Sequence, residues 1–560
     1  MFLRDLTARR LASAAYLALA AVLAGGLLVR LYGLQHGLPY SYHSDEGLHF
    51  TSKAVRMFEH GLNPDYFQNP SGFTYLVHLG LRIGAFGDVP ERFAEDPTDI
   101  FTLGRAIAVG LALLGVLGVF VAARRLWGRL EAVAAAAILS FAFLPVAYSR
   151  FAVTDVGVFL PVAIASWAAI RVAEEGGRRW FVIAGAAIGF ALGFKYTAGL
   201  LLVPLLIAAA TRLRGPRRPV LVDTALALAA MVAAFLLTTP YFLLDLGEAL
   251  DQLRSQSYAA DEPKLGQHDE SPLAFYPSSL TWGLGWGAAA AALVGLVWQW
   301  RRDRMRALLL AAFPILLYLY LSTAERHFAR WMMPTYPILA MLAGFGLART
   351  ARSLSLRPAV QGAAYALLLG AVLVQPILAD LRTGKMLRRE DTRALAREFL
   401  TEKRQPRLRV VIEPAVPFPW YRGFVPGFGP PPRYRQTYPP LPARPTRYLN
   451  VVEPSRIDRY RDAGFCHVIG LSFVRVRAER TGLRDALAYY RALEREADVV
   501  FSADPYDAGE SVEFDFDRST HLYYDRDFAR TGPEVRIYRL RDCDQGYGKP
   551  TTGDPAAYWR

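Results

Sequence analysis

The sequence predicts a polytopic α-helical membrane protein that carries a C-terminal α/β domain. Three observations predict it. Apolar runs close to 20 residues recur up to about position 380, the breaks between alternate runs are rich in Arg, and beyond 380 no such run occurs. Averages hide this division, because 560 residues at 53% hydrophobic and 20% charged, with a mean hydropathy of +0.18, resemble an ordinary globular chain. The same averages exclude a disordered chain, a collagen-like repeat and a small disulfide scaffold. The reading is therefore a membrane domain over 1–380 and a polar domain over 381–560.

Taken in order, about eleven runs qualify, or nearly so, as spans: 11–34, 100–123, 130–148, 152–170, 180–194, 196–211, 219–240, 281–300, 307–322, 331–348 and 358–379. The first is too long for a cleavable signal sequence, and no clear A-x-A site follows it. A further run, 71–87, is shorter and contains His78 and Arg82. Two such residues are costly at mid-bilayer, so this segment reads as an interfacial helix.

Charge tests that choice. With 71–87 at the interface, all the Arg clusters fall on one face: Arg4, Arg9 and Arg10; Arg124, Arg125 and Arg129; Arg171, Arg178 and Arg179; Arg212, Arg214, Arg217 and Arg218; Arg301, Arg302, Arg304 and Arg306; Arg349, Arg352 and Arg357. The positive-inside rule makes that face cytoplasmic, with the N-terminus inside and the C-terminal domain outside. These loops hold twenty Arg against six acids, which accounts for the whole net charge of +14. The basic balance thus reports orientation in an inner (plasma) membrane and gives no reason to expect a nucleic-acid partner.

Polar chemistry gathers on the opposite side. The long first exterior loop, about 35–99, contains Asp45 and Glu46 just before an amphipathic stretch, and the second ends in Asp155. The third places Lys195 alone between apolar segments. The fourth, about 241–280, opens on Thr239-Pro240-Tyr241 and holds Asp261, Glu262, His268, Asp269 and Glu270. The fifth contains Glu325, Arg326, His327 and Arg330. A proton-coupled transporter would place ionisable groups near the midplane, whereas these lie at the membrane–water boundary.

These motifs resemble the GT-C glycosyltransferases, family 39 above all, which includes protein O-mannosyltransferases and the aminoarabinose transferases acting on lipid A. Asp45-Glu46 resembles the family's acidic motif, and Arg150-Phe151-Ala152-Val153-Thr154-Asp155 its second exterior motif. Gly193-Phe194-Lys195-Tyr196-Thr197 is similar to its "TKYT" turn, and Thr239-Pro240-Tyr241 to its "NPY" step. Arg330 to Pro337 is similar to "RYLLPLYP", and Asp391 to Ala396 to the stretch after the last span. The motifs run in order over 30–400. Departures are Gly47 and Leu48, which both intervene before His49, Trp331 in place of Tyr, and Thr239 in place of Asn.

The resemblance implies a GT-C fold and a polyprenyl-phosphate sugar donor. It also implies a hydroxyl acceptor (protein, lipid or glycan) at the outer face, and transfer with inversion. Asp45 is the implied general base, its other reading being a solvated acid that caps the surface helix. Glu46 is the adjacent acid, placed to orient a neighbouring loop or bind acceptor. Asp155 completes the acidic site or opens the next span as a first-turn acid. Lys195 and Arg330 are candidates for the departing phosphate, with Arg150 and Arg326 as weaker versions; snorkelling to headgroups is the alternative. His43, Asp45 and His49 leave a divalent cation open without matching a closed metal site, so no metal is assigned. A flippase for lipid-linked sugars and a non-catalytic scaffold are the rival functions.

In the tail, Val410–Ile412, His467–Leu471, Asp498–Phe501 and Val535–Tyr538 read as strands and Leu483–Ala497 as a helix. Pro414–Pro445 reads as an irregular loop over the site. Cys466 and Cys543 form either a disulfide, which exterior placement permits, or two free thiols.

Overall fold

A computed structural model describes residues 2–84, 86–215, 217–261, 267, 271–354, 357–402, 409–413, 420, 425–428, 453–462, 464–507, 518 and 520–544. Among these, eight helices are long and apolar enough to cross a membrane, beginning at Ser13–Leu31 and Thr98–Leu126 and ending with Ala329–Ser353 and Pro358–Glu402. Arg129–Phe141 and Phe143–Ser149 meet at a bend of 54° and make a ninth if counted together. Pro145 explains the bend: its ring cannot share a helix with the carbonyl of Phe141, four residues back. The count is thus lower than eleven. Arg178–Leu192, at 15 residues, and Tyr196–Arg212 are apolar helices below span length. At 1.5 Å per residue, 15 residues cover roughly 22 Å of a hydrocarbon core about 30 Å thick. The run at 71–87 forms the 12-residue helix Gly72–Ile83, also too short to span.

Burial ranks the helices. The apolar stretch of Ala329–Ser353 is 89% buried and that of Arg217–Thr238 only 11%, so the first runs through the bundle and the second along its rim. Close packing uses small residues, as expected where lipid removes the hydrophobic drive between helices. Gly185 and Gly189 on Arg178–Leu192 lie so near Arg217–Thr238 that a Cβ on either would overlap the carbonyls of Ala227 and Met231.

Beyond the membrane helices, five strands form one mixed sheet: β1 (Arg409–Ile412), β2 (Val425–Phe428), β3 (His467–Leu471), β4 (Ala497–Ala503) and β5 (Val535–Leu540). The order is β2-β1-β3-β5-β4, parallel across β2, β1 and β3 and antiparallel at β5. β3 is central and wholly buried, which its apolar run Val468-Ile469-Gly470-Leu471 anticipates. Helix Arg484–Glu496 puts Tyr489 and Leu493 into this core with Val411 and Ile537. Cys466 and Cys543 are bridged. Glu262, His268, Asp269 and Glu270 lie outside the described residues, as does most of Pro414–Pro445.

One segment of the C-terminal domain returns to the membrane core. Leu522 and Tyr524 belong to the same buried apolar cluster as Phe143 and Tyr148, and the Thr383 hydroxyl donates to the Leu522 carbonyl at 3.0 Å.

Candidate active site

The loops that the sequence reads as exterior are tied together before any charge is considered. Gly72 N–H donates to Gly193 O at 3.0 Å, Tyr196 Oη to Phe67 O at 3.0 Å, and Thr154 Oγ1 to Phe194 O at 2.9 Å. Asn63 Nδ2 donates to Asp245 Oδ2 at 2.9 Å, which fastens the first loop to the fourth. These bonds bring the first, second, third and fourth of these loops together, and the fifth joins them through Arg330.

Two ion pairs stand there. Arg330 Nη1 lies 2.8 Å from Asp45 Oδ2, and Lys195 Nζ lies 2.8 Å from Asp155 Oδ1. Asp45 keeps a quarter of its side chain accessible, more than the other three. Asp45 immediately precedes the helical turn Glu46–Phe50, and Asp155 opens the turn Asp155–Val158. Lys195 sits on extended backbone after Arg178–Leu192, and Arg330 in the turn Ala329–Thr335 that starts the most buried span. Gly157 permits the second pair, because a Cβ there would enter the ring of Phe194, the neighbour of Lys195.

Aromatic rings wall this group. Arg330 lies over Tyr148, with 5.7 Å between its guanidinium carbon and the ring centre. His43 packs on Phe151 at 4.3 Å, and His49 stacks on Tyr66 at 4.5 Å. Burial pushes both imidazoles down from their usual pKa, more than the nearby Asp45 carboxylate raises them, which keeps them neutral at pH 7. Among the described residues, no three His, Cys, Asp or Glu side chains converge. Asp45 and Asp155 each face a cation, so this donor set does not fit a divalent ion.

Glu46 takes no part in these two ion pairs but forms its own, buried one with Arg105, although it neighbours Asp45 in the sequence. It is fully buried and accepts from Arg105 Nε and Nη2 at 2.7 Å each, from Ser41 Oγ at 2.7 Å and from Ala152 N–H at 2.8 Å. Arg105 Nη1 also donates to the carbonyls of Leu34 and His36. Glu46 therefore locks the first loop to the second and to the span Thr98–Leu126. Burial alone would raise its carboxyl, but Arg105 and the Ala152 N–H outweigh it and hold the pKa at about 2.

Arg150 is separated from the phosphate candidates. It is fully buried, and its Nη2 donates to Val29 O at 2.7 Å and Asp380 O at 3.4 Å, beside the equally buried Arg30. The contact to Asp380, on the last long helix, is made by its backbone carbonyl. Arg326 N–H donates to Ala260 O.

His521, in the C-terminal domain, has no motif to announce it. It is fully buried against Tyr148, Trp282 and Phe328, and its Nε2 accepts from the backbone N–H of Arg330 at 3.3 Å.

Residues 101–243 match the family model described as dolichyl-phosphate-mannose-protein mannosyltransferase, about a quarter of the chain. Solved structures match far more of it. The apo structure of ArnT from Cupriavidus metallidurans is 17% identical, with a TM-score of 0.51 over 84% of this chain and 95% of that one. The same protein bound to undecaprenyl phosphate is 15% identical, with a TM-score of 0.51 over 94% and 98%. The oligosaccharyltransferase of Archaeoglobus fulgidus in its apo form is 13% identical, with a TM-score of 0.52 over 87% and 73%. The chain has the GT-C glycosyltransferase fold. No curated protein sequence matches it. Within the GT-C fold, the span of the family model includes the Asp155–Lys195 pair and Thr239-Pro240-Tyr241, but neither Asp45 nor Arg330.

Proposed function

We propose that this chain is an integral-membrane glycosyltransferase that moves a sugar from a polyprenyl-phosphate-linked donor to a hydroxyl acceptor at the outer face of the membrane. The observation that carries it is the pairing of two carboxylates with two cations at the boundary, Asp45 with Arg330 and Asp155 with Lys195. Transfer needs a base beside the acceptor and positive charge at the leaving phosphate, and this group holds both. Likeness to a fold solved with undecaprenyl phosphate bound supports the donor class. The Arg-rich loops support an orientation that places the site outside.

In the reaction, the acceptor oxygen attacks the anomeric carbon from the side opposite the phosphate while its proton passes to the Asp45 carboxylate. The bond between the anomeric carbon and the phosphate oxygen breaks, and polyprenyl phosphate leaves with the electron pair. Arg330 and Lys195 stabilise the charge that develops on it. Attack from the opposite side inverts the anomeric centre. Asp155 holds Lys195 in place.

The test is Asp45→Asn in purified protein with a lipid-phosphate sugar. Loss of a general base lowers transfer by about 10²–10⁴-fold. Full transfer by Asp45→Asn removes the proposed base, and donor lipid crossing vesicles without transfer would identify a flippase instead.

A further inference from the structure

We propose that His521, carried by the C-terminal domain, is a positioning residue for the phosphate-binding Arg330, so that the site is completed only when the 520–528 segment docks on the membrane domain. This rests on the reading of Arg330 as a phosphate ligand.

The bond joins the Arg330 backbone N–H to His521 Nε2 at 3.3 Å. Arg330 is the second residue of the turn Ala329–Thr335, where a backbone N–H has no partner within the turn. A buried donor left this way costs about 1–3 kcal/mol. The imidazole satisfies it and thereby fixes the point from which the Arg330 side chain reaches Asp45. Packing alone does not require histidine. The neighbours are the rings of Tyr148 at 5.5 Å, Trp282 at 6.0 Å and Phe328 at 6.3 Å, among which a leucine or phenylalanine would sit. What histidine adds toward Arg330 is an acceptor nitrogen.

A second observation points the same way. Leu522, the next residue, has φ of +63°. That left-handed backbone costs a branched residue about 1–2 kcal/mol. It is held by the Thr383 hydroxyl on the Leu522 carbonyl, and Tyr523 anchors the following turn against Phe143 at 4.9 Å and Trp282 at 5.2 Å. Strain of this kind persists where surrounding contacts impose a geometry, and here they aim His521 at Arg330.

Binding of undecaprenyl phosphate to the full chain in detergent tests this with four variants: His521→Leu, His521→Gln, Arg330→Ala and the double variant His521→Leu/Arg330→Ala. Glutamine places an acceptor where Nε2 lies. The expected result is about tenfold weaker binding for His521→Leu, the equivalent of about 1.4 kcal/mol. His521→Gln should stay within about threefold of the parent, and the double variant should bind no more weakly than Arg330→Ala alone. Melting temperatures establish that each variant is folded. If His521→Leu binds like the parent, or its loss adds in full to that of Arg330→Ala, the inference falls while the phosphate reading stands. If Arg330→Ala itself binds like the parent, the phosphate reading falls and takes the inference with it.

Discussion

Glu46 and Glu413 are both fully buried carboxylates, yet their surroundings push them in opposite directions. A bidentate guanidinium holds Glu46 at about 2, ionised through the ordinary pH range. Glu413 follows β1 and accepts from Leu471 N–H at 2.6 Å and Tyr490 Oη at 2.7 Å, with no ion pair among the described residues and Arg475 acting on it only weakly. Burial dominates these bonds and raises its pKa to about 7. The folded state thus binds this proton more tightly than the unfolded state, whose value is near 4.5. Its contribution is fully present below pH 4.5 and is lost as pH rises toward 7. Melting of the C-terminal domain followed between pH 4.5 and 8 should show that decline, and Glu413→Gln should flatten it, since Tyr490 can then accept from the new amide. At this scale the sequence was most informative about Asp45, Asp155, Lys195 and Arg330, which carry charge next to apolar runs. It left open whether Glu46 orients a neighbouring loop or binds acceptor, because the partners that decide, Arg105 and Ala152, lie far along the chain. Nor could it exclude Arg150, whose partners Val29 and Asp380 lie 121 and 230 residues away. His521 was illegible for the same reason: its meaning comes from a contact with Arg330, 191 residues earlier in the chain.

Among the elements, the turn Asp155–Val158 and the strand-like step at Lys195 depend on a close approach at Gly157. Gly157→Val would drive the Phe194 ring aside at a cost of about 1–3 kcal/mol and carry Lys195 away from Asp155. Transfer should fall about tenfold or more while the variant remains folded, measured by turnover against melting temperature; unchanged turnover would show that the pair is not needed. Helix positions were largely legible, because a 20-residue apolar run has few other uses. Span length was not. Arg178–Leu192 and Tyr196–Arg212 satisfy hydropathy yet stop short, since the first helix ends at Gly193 and the backbone at Lys195 is extended to serve the site. The four sequence-predicted strands lie within β1, β3, β4 and β5, whereas β2 carries Pro426 and Gly427, which argue against a strand in isolation.

For the whole molecule, the two-part reading of composition follows from membrane physics: one solvent demands apolar runs and the other does not. The sequence left the state of Cys466 and Cys543 open, and the fold brings them together across a separation of 77 residues. In the chain-entropy model a loop of that size contributes about 4 kcal/mol. Reduction should therefore lower the stability of the C-terminal domain by about that amount, read by denaturant melting with and without reductant. Because the 520–528 segment belongs to that domain, transfer activity should fall in the same denaturant range, ahead of any loss of membrane helices. Activity that outlasts the domain's unfolding would separate the two.

The pairing of Asp45 with Arg330 and of Asp155 with Lys195 has a consequence for fidelity in the proposed reaction. The four side chains sum to zero, and a carboxylate held 2.8 Å from a guanidinium is a poor acceptor for a proton from water. In the proposed reaction, a donor that draws Arg330 toward its own phosphate loosens that grip with the sugar already in place. On that proposal the donor arms the base, and the remaining danger is that water reaches it before the acceptor does. Arg330→Lys, with its single-point contact, should raise wasteful hydrolysis of the donor relative to transfer, measured as free sugar released per sugar transferred. An unchanged ratio would mean that the guanidinium does not restrain the base.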